Sequence, residues 1–548
     1  MKIRLVVLTA FSAVLIGLAV PNEFFHTGQP VLGLFCLVPF FLALYLCEDK
    51  RFSHLLGVIY GTITTVFTYY WLMFFGEFSV WTITGVTVGY AGYCFFLAPF
   101  LHRLSRVRVS WRPFVLAAAW TVYEYFKSSG YLAFPWGLIA YPVSDFLPLI
   151  QIADIVGVYG ISYIMALVNL LLVETLIRYF NIRNEVPLIS TSFFTRQRDG
   201  GKKNRKFTAI SWNNLLVRQW GVFAAFTIAA IAYGFGRMAM EIPVEKTFTT
   251  VLVQQNIDSW LSGNEMKSIR VGQDLTRAGI AELGEKPDIV IWSESSFRRP
   301  YKDSMKVFEK RPKDDPFVPF IRETGTYFLV GSPYVVDWEK MKVMNSVLLI
   351  DPQAEVADFY GKQHPVPLAE HIPFYDEIEL IRRFYTNAIG LPGGGWTLGE
   401  ESKILSIPLQ SGETLNFGTP ICFEDAFPPL CRSFILGGAD VLINLTNDSW
   451  SQTVSAEIQH MVVAKFRSVE SKRTLVRSTN AGVTTVIGPY GEHLATLPLF
   501  VEDKLPMEVP VFKEKFLTPY MLLGDYFPYI LIALLLFTLV KQAYRKRK

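Results

Sequence analysis

The sequence predicts a two-part protein: a polytopic α-helical membrane domain of about eight spans, and an α/β domain held outside the membrane. Three observations carry this reading. Apolar residues make up 51% of the 548 positions, more than a soluble chain of this length usually holds. Charged residues are scarce over the first 180 positions and common from 245 to 510. The basic residues of the apolar part cluster in alternate loops.

Apolar stretches long enough to cross about 30 Å of hydrocarbon fall at 4–20, 31–47, 55–75, 79–101, 113–127, 152–177, 218–238 and 522–541. The first also has the look of a signal peptide. No small-residue cleavage site follows it and more spans do, so it is read as a helix. Basic residues gather at 48–54, 102–112, 178–206 and in the tail "KQAYRKRK", whereas 21–30, 76–78 and 128–151 are nearly free of Lys and Arg. With both termini cytoplasmic, every basic loop falls on the inner side. Residues 239–521 then lie outside the cytoplasmic membrane. This pattern also removes the need to read the basic clusters as nucleic-acid patches. The expected division is a membrane domain at 1–238 with seven spans, a catalytic domain at 239–515, and a last span with a basic tail at 516–548.

The outer part alternates strand-like and helix-like signals. β-branched, apolar runs occur at 248–257, 288–295, 327–336, 345–352, 415–425, 439–448 and 473–489, with helical stretches at 265–284 and 455–472 between them. This is an α/β layered pattern. The turn-rich 391–400 and the segment 426–431 are expected to be loops along a groove. Five cysteines occur, at 36, 47, 94, 422 and 431. They show no metal-ligand spacing and no disulfide framework, though Cys422 and Cys431 are near enough in sequence to pair. His364, His371 and His460 likewise form no readable ligand set, so structural roles are expected for them. No metal or cofactor is called for.

Three strand-like runs end in reactive residues, and strand ends are where α/β sheets gather functional groups. "IVIWSESS" ends at Glu294. "VADFYGKQHPVPLAEHIPF" carries Lys362 and Glu370. "LNFGTPICFED" ends at Cys422, with Phe423 and Glu424 behind it. A free thiol has a pKa of about 8.5 and needs a base or a nearby cation to act. Glu294 is suited to take the proton, and Lys362 to hold the thiolate and the oxyanion that follows. A lone Cys in an apolar strand is more often core; it is the company of Glu294 and Lys362 that favours chemistry. In the membrane part, Glu124 and Lys127 are costly unless paired, and their spacing allows them to pair with each other. A structural role near the membrane surface is expected for them, with headgroup contact as the minor alternative.

The Glu, Lys and Cys set resembles the triad of the nitrilase superfamily. With spans before and after it, the chain is similar to that superfamily's membrane-embedded branch, the apolipoprotein N-acyltransferase family. The resemblance rests on "FPWGLIAYPVSD", "VQQNI", "IWSES", "MNSVLLID", "KQHPVPLAEHIPF", "ICFED", "NLTNDSW" and "QHMVVAKFRSVESKRTLVRSTNAGVTTVIGPYG", in that order along nearly the whole chain. It implies an αββα sandwich for the outer domain. It implies Glu294 as general base, Lys362 as stabiliser of the tetrahedral intermediate and Cys422 as the acylated nucleophile. Glu370 matches a further essential glutamate, Glu424 the acid two residues after the cysteine, and Asn345 an asparagine ahead of the lysine segment. Phe423 stands where the family often has Tyr, keeping the ring and the backbone N–H. Trp260 is nearer to "QNI" than the family's usual Trp. Two readings are open for Glu370 (site acid or loop tie) and for Glu424 (site acid or helix cap).

What the resemblance implies for activity is acyl transfer from a phospholipid donor, through a cysteine thioester, to the α-amino group of a diacylglyceryl-modified apolipoprotein. The setting is a bacterial inner membrane, the protein is expected to be a monomer, and nucleic acid plays no part. A membrane-anchored nitrilase-type amidase would share the triad, but an anchor needs one span. A degenerate scaffold would have lost one of the three residues. A transporter would place polar groups midway along several helices, and few are seen.

Overall fold

The computed structural model describes residues 1–76, 79–107, 109–179, 210–261, 263–367, 369–375, 377–386 and 395–547. The basic loop expected at 178–206 lies almost wholly outside these residues, as do 391–394 of the expected groove loop.

The apolar part is helical: Lys2–Ala19, Pro30–Gly33 and Val38–Leu46, Lys50–Thr68, Ser79–Ser105, Arg112–Lys127, Val158–Tyr179, Ile210–Ala239 and Tyr526–Arg547. Among the described residues, five helices are long and apolar enough to cross a membrane: Lys2–Ala19, Ser79–Ser105, Val158–Arg178, Leu215–Ala239 and Tyr526–Tyr544. Two of the expected spans differ from simple helices. The stretch 31–47 breaks after Gly33, and a new helix starts with Pro39 in its first turn, a position where proline's missing N–H costs nothing. The stretch 152–177 breaks at Gly157, whose φ of 65° ends the short helix Ala153–Val156. Helix Lys50–Thr68 packs along Ser79–Ser105 through Gly57 and Gly61, one turn apart. A Cβ on Gly57 would meet the Cys94 carbonyl at 2.0 Å, so only glycine permits this approach. Glu124 and Lys127 do not bond each other. Glu124 accepts from Trp120 Nε1 and Ile139 N, and Lys127 donates to Tyr90 and the Trp136 carbonyl.

The α/β part is two six-stranded sheets packed face to face. The strands are β1 (Val244–Gln254), β2 (Ile289–Trp292), β3 (Tyr327–Asp337), β4 (Lys342–Ile350), β5 (Val356–Gly361), β6 (Ile404–Pro408), β7 (Thr414–Gly418), β8 (Val441–Thr446), β9 (Leu475–Thr479), β10 (Thr485–Ile487), β11 (His493–Thr496) and β12 (Asp503–Phe512). The first sheet runs β12-β1-β2-β3-β4-β5 and the second β11-β10-β9-β8-β7-β6. Parallel pairs form the centres (β1, β2 and β3; β7, β8 and β9), and antiparallel strands close the edges. Alternation separates the two faces of each strand. In β1 and β2, Phe248, Leu252, Ile289 and Ile291 join the inter-sheet core. Val251, Val253, Val290 and Trp292 join Ile269 and Phe317 of helices Asn264–Leu283 and Phe317–Thr324 in a second, outer core. Helices Pro428–Leu436 and Val454–Ser471 cover the other sheet, completing four layers in the order αββα. Segment 426–431 is not a groove loop: Pro428 begins a helix there, and Pro428 and Cys431 are buried. All five cysteines are free.

Helix Val454–Ser471 is almost wholly buried because the membrane part lies on its far side. Gln459 donates to the carbonyls of Pro21 (2.9 Å) and Thr68 (3.2 Å) and accepts from Trp71 Nε1. Glu23 accepts from Ser455 N near the start of the helix, and Lys465 pairs with Asp145 at 2.7 Å. These contacts set the depth of the α/β part against the helices. Replacing Gln459 with Leu keeps the volume and takes this partner from three buried groups, the Pro21 and Thr68 carbonyls and Trp71 Nε1, at about 1–3 kcal/mol for each unsatisfied group. The expected result is a lower Tm in detergent for Gln459→Leu; an unchanged Tm would mean these bonds do not fix the junction.

Candidate active site

Glu294 lies two residues past β2, Lys362 directly follows β5, and Cys422 lies four residues past β7. The three strand ends meet at one edge of the sandwich, against the membrane helices. Cys422 opens a short 3-10 helix, Cys422–Ala426, with φ at +50°, a conformation that non-glycine residues rarely adopt. Its side chain therefore projects from a tight elbow.

Glu294 Oε1 accepts from Asn345 Nδ2 at 2.8 Å, and Oε2 accepts from Asn447 N at 2.9 Å. Lys362 Nζ lies 3.6 Å from Glu294 and 2.8 Å from Glu370 Oε1. Glu370 Oε2 accepts from Val366 N at 2.7 Å, so this carboxylate both neutralises Lys362 and ties its own loop. Asn345 touches Glu294 and Glu370 together, and its carbonyl accepts from Lys362 N at 2.9 Å. Burial pushes Glu294 above the ordinary carboxyl range, and the Lys362 charge opposes this. Burial works against the charge on Lys362, but Glu370 and Glu294 outweigh it and hold the ammonium well above its usual range. Burial and then the Glu294 charge push the Cys422 thiol up, with Lys362 pulling it back. The thiol therefore rests protonated, beside the buried Glu294 side chain and a firmly charged lysine.

Glu424 does not face the cavity. Its Oε1 accepts from Gln363 N (2.6 Å) and His364 N (2.9 Å), its Oε2 from Ile421 N (2.8 Å), and both from Tyr360 OH. Burial pushes this carboxyl up to about 7, against the backbone donors that favour its charge.

These groups open into a cavity of about 950 Å³ lined by both parts of the chain. Glu294, Asn345, Glu370, Cys422, Phe423 and Trp260 reach it from the α/β part. Trp71, Phe75, Phe134 and Trp136 reach it from the membrane part. Phe423 stacks on Trp136 with ring centroids 5.2 Å apart and planes at 11°. Trp260, partly exposed, stands edge-on to Trp396 at 6.1 Å.

Sequence reasoning did not single out Asn447, Asp448, Asp425 and Arg477, and it gave His460 only a structural role. Asn447 and Asp448 directly follow β8, so the strand-end rule that found Glu294 also pointed to them. His460 bonds Asp448 Oδ2 through Nδ1 (2.9 Å) and Asp425 Oδ1 through Nε2 (3.0 Å). Asp425 in turn pairs with the buried Arg477.

The α/β part of the chain is a domain of the carbon-nitrogen hydrolase type. A family model described as carbon-nitrogen hydrolase matches residues 316–510, and one described as apolipoprotein N-acyltransferase N-terminal domain matches residues 12–171. The chain is 36% identical over 541 residues to apolipoprotein N-acyltransferase 2 of Treponema denticola, covering 98% of this chain and 97% of that one. It is 34% identical over 548 residues to apolipoprotein N-acyltransferase of Borreliella burgdorferi, covering 100% of this chain and 98% of the other. Among solved structures, a carbon-nitrogen hydrolase from Helicobacter pylori G27 aligns at 16% identity and a TM-score of 0.34, over 48% of this chain and 89% of its own. The chain belongs to the apolipoprotein N-acyltransferase family.

The charge on His460 has a pH signature. Burial disfavours it, but Asp448 and Asp425 more than compensate and raise its pKa from 6.5 to about 9. Because the folded value is the higher one, this stabilisation is complete below about 6.5 and is lost as pH rises through about 9. Tm of the wild type should fall across that window, and the fall should be smaller in His460→Gln. Parallel curves would show that His460 does not titrate there.

Proposed function

We propose that this protein transfers a fatty acyl chain from a phospholipid to the N-terminal α-amino group of a diacylglyceryl-cysteine on an apolipoprotein, through a thioester on Cys422. The observation that carries this reading is the meeting of Glu294 and Cys422, with Lys362 Nζ 3.6 Å from Glu294, at a cavity also lined by membrane-side aromatic residues. A soluble amide substrate has no use for such a wall, whereas acyl chains gain about 0.8 kcal/mol for each buried CH₂.

In the first half-reaction Glu294 accepts the Cys422 thiol proton as sulfur attacks the ester carbonyl. The oxyanion faces Lys362 Nζ and the Phe423 N–H. Glu294 returns the proton to the departing glycerol oxygen, leaving a thioester and a lysophospholipid. In the second, the neutral α-amine attacks the thioester. Its pKa of about 8 leaves an appreciable fraction unprotonated at pH 7. Glu294 takes a proton from the attacking nitrogen and restores the thiol as the amide forms. Asn345 and Asn447 N hold Glu294 in place, and Glu370 balances the charge of Lys362. Neither step uses a metal or cofactor. The apolar wall excludes water, the competing nucleophile.

The domain limits proposed are 1–238, 239–515 and 516–548, with the catalytic domain outside a bacterial inner membrane and both termini cytoplasmic. A thiol-free background carrying single cysteines in 200–206 or at the C-terminus should react with an impermeant maleimide only after the cells are opened. Labelling from outside intact spheroplasts would reverse the topology.

The chemistry is tested by intact mass spectrometry of protein incubated with phospholipid vesicles. An acyl adduct on Cys422 is expected, discharged by a diacylglyceryl-cysteine peptide and absent in Cys422→Ala. Glu294→Gln should slow acylation by ~10²–10⁴-fold. Release of ammonia from amides, with no acyl adduct, would instead make the chain a hydrolase.

A further inference from the structure

The conformation of Cys422 needs a cause. A φ of +50° persists in a non-glycine residue only where neighbours hold it. Here they hold its carbonyl oxygen: Asn444 Nδ2 lies 3.2 Å away and His460 Nε2 3.3 Å away. That carbonyl belongs to the peptide joining Cys422 to Phe423. In a trans peptide the C=O and the following N–H point in opposite directions. Fixing the carbonyl toward His460 therefore aims the Phe423 N–H away from it.

His460 is itself locked. Its Nδ1 faces Asp448 Oδ2 at 2.9 Å, and its Nε2 faces Asp425 Oδ1 at 3.0 Å. Carboxylate oxygens only accept, so a ring flanked by two of them carries a proton on each nitrogen. Behind Asp425 stands Arg477. Behind Asp448 stands Glu457, which accepts from Ser451. One face of the ring packs against Trp136 with centroids 5.6 Å apart, at the cavity wall.

Resting on the proposed role of Cys422, we propose that His460 is a positioning residue for acylation: bridged between Asp448 and Asp425, it holds the Cys422 carbonyl so that the Phe423 N–H is presented to the oxyanion. The role assigned to the imidazolium is on the peptide and not on the substrate. It acts on one peptide plane, so its loss should slow carbonyl addition without altering the thiol.

Two reactions of the same sulfur separate this role from a general structural one. Acylation passes through an oxyanion, whereas alkylation by iodoacetamide displaces iodide and makes none. Both are followed at Cys422 by intact mass and peptide mapping on the full-length detergent-solubilised protein. The acyl donors are phospholipid vesicles and, separately, a p-nitrophenyl acyl ester. For His460→Gln, acylation by either donor should fall ~100-fold, the size expected for losing one oxyanion donor, while alkylation keeps the wild-type rate. Parallel loss of both reactions, or no loss of acylation, overturns the proposal. If His460→Gln does not fold, Asp448→Asn frees the ring without removing it. It should give a smaller loss in acylation at constant alkylation, and an unchanged acylation rate counts against the idea. A wild type acylated by the p-nitrophenyl ester but never by phospholipid sinks the proposed function, and the His460 comparison is then read on the activated ester. A wild type acylated by neither overturns both.

Discussion

The buried carboxylate of Glu424 joins two segments that the chain supplies far apart. Its two oxygens collect the backbone N–H groups of Gln363, His364 and Ile421 and the hydroxyl of Tyr360. Gln363 and His364 follow Lys362, and Ile421 precedes Cys422. One side chain thus sets the separation between the lysine and the thiol, using donors that would otherwise be orphaned in an apolar interior. The strands bring three chain segments to one edge of the sandwich, but the strands alone leave the loops beyond them free to differ by ångströms. Glu424 removes that freedom on the Lys362 and Cys422 side. Asn345, bonded to Glu294 and Glu370 and backed by Lys362 N, removes it on the other.

The second constraint is the burial of helix Val454–Ser471 from both sides. One side packs on the second sheet. The other receives Pro21, Glu23, Thr68, Trp71 and Asp145 from the membrane part. The helix carries His460, so the element that docks the two parts also reaches the carbonyl of Cys422. Its charged residues at 465, 467 and 470 are buried, and each has an opposite charge beside it, as burial requires.

Much of this was legible in the sequence, for identifiable reasons. Central strand β2 is buried on both faces and reads as a short apolar run, so Glu294 just past its end stood out. Edge strand β12 did not, because Pro506 and Pro510 make it resemble a turn-rich tail; at an edge, proline's missing N–H leaves no gap in the ladder. Hydropathy over 31–47 and 152–177 could not reveal the breaks at Gly33 and Gly157, since both sides of each break are equally apolar. The i, i+3 spacing of Glu124 and Lys127 suggested a mutual bond. Tertiary partners, Ile139 N and the Trp136 carbonyl, claim them instead. The geometry of Glu424 includes the helix-capping contact at Ile421 and extends it to the lysine loop, which spacing alone could not foretell. His460 was invisible as anything but a buried histidine because both of its carboxylates come from distant turns.

The seam between the two parts has a bearing on how the protein is made. The aromatic wall comes from residues 71–136, synthesised early, and the thiol and its companions come from residues 294–460, synthesised late. On the proposed chemistry, a Cys422 that met water or stray lipid before this wall closed over it would act as a wasteful hydrolase. Because neither part holds a complete cavity, the site is assembled only when the helices and the later domain are packed together. The order of the chain thus decides which wall of the cavity is made first.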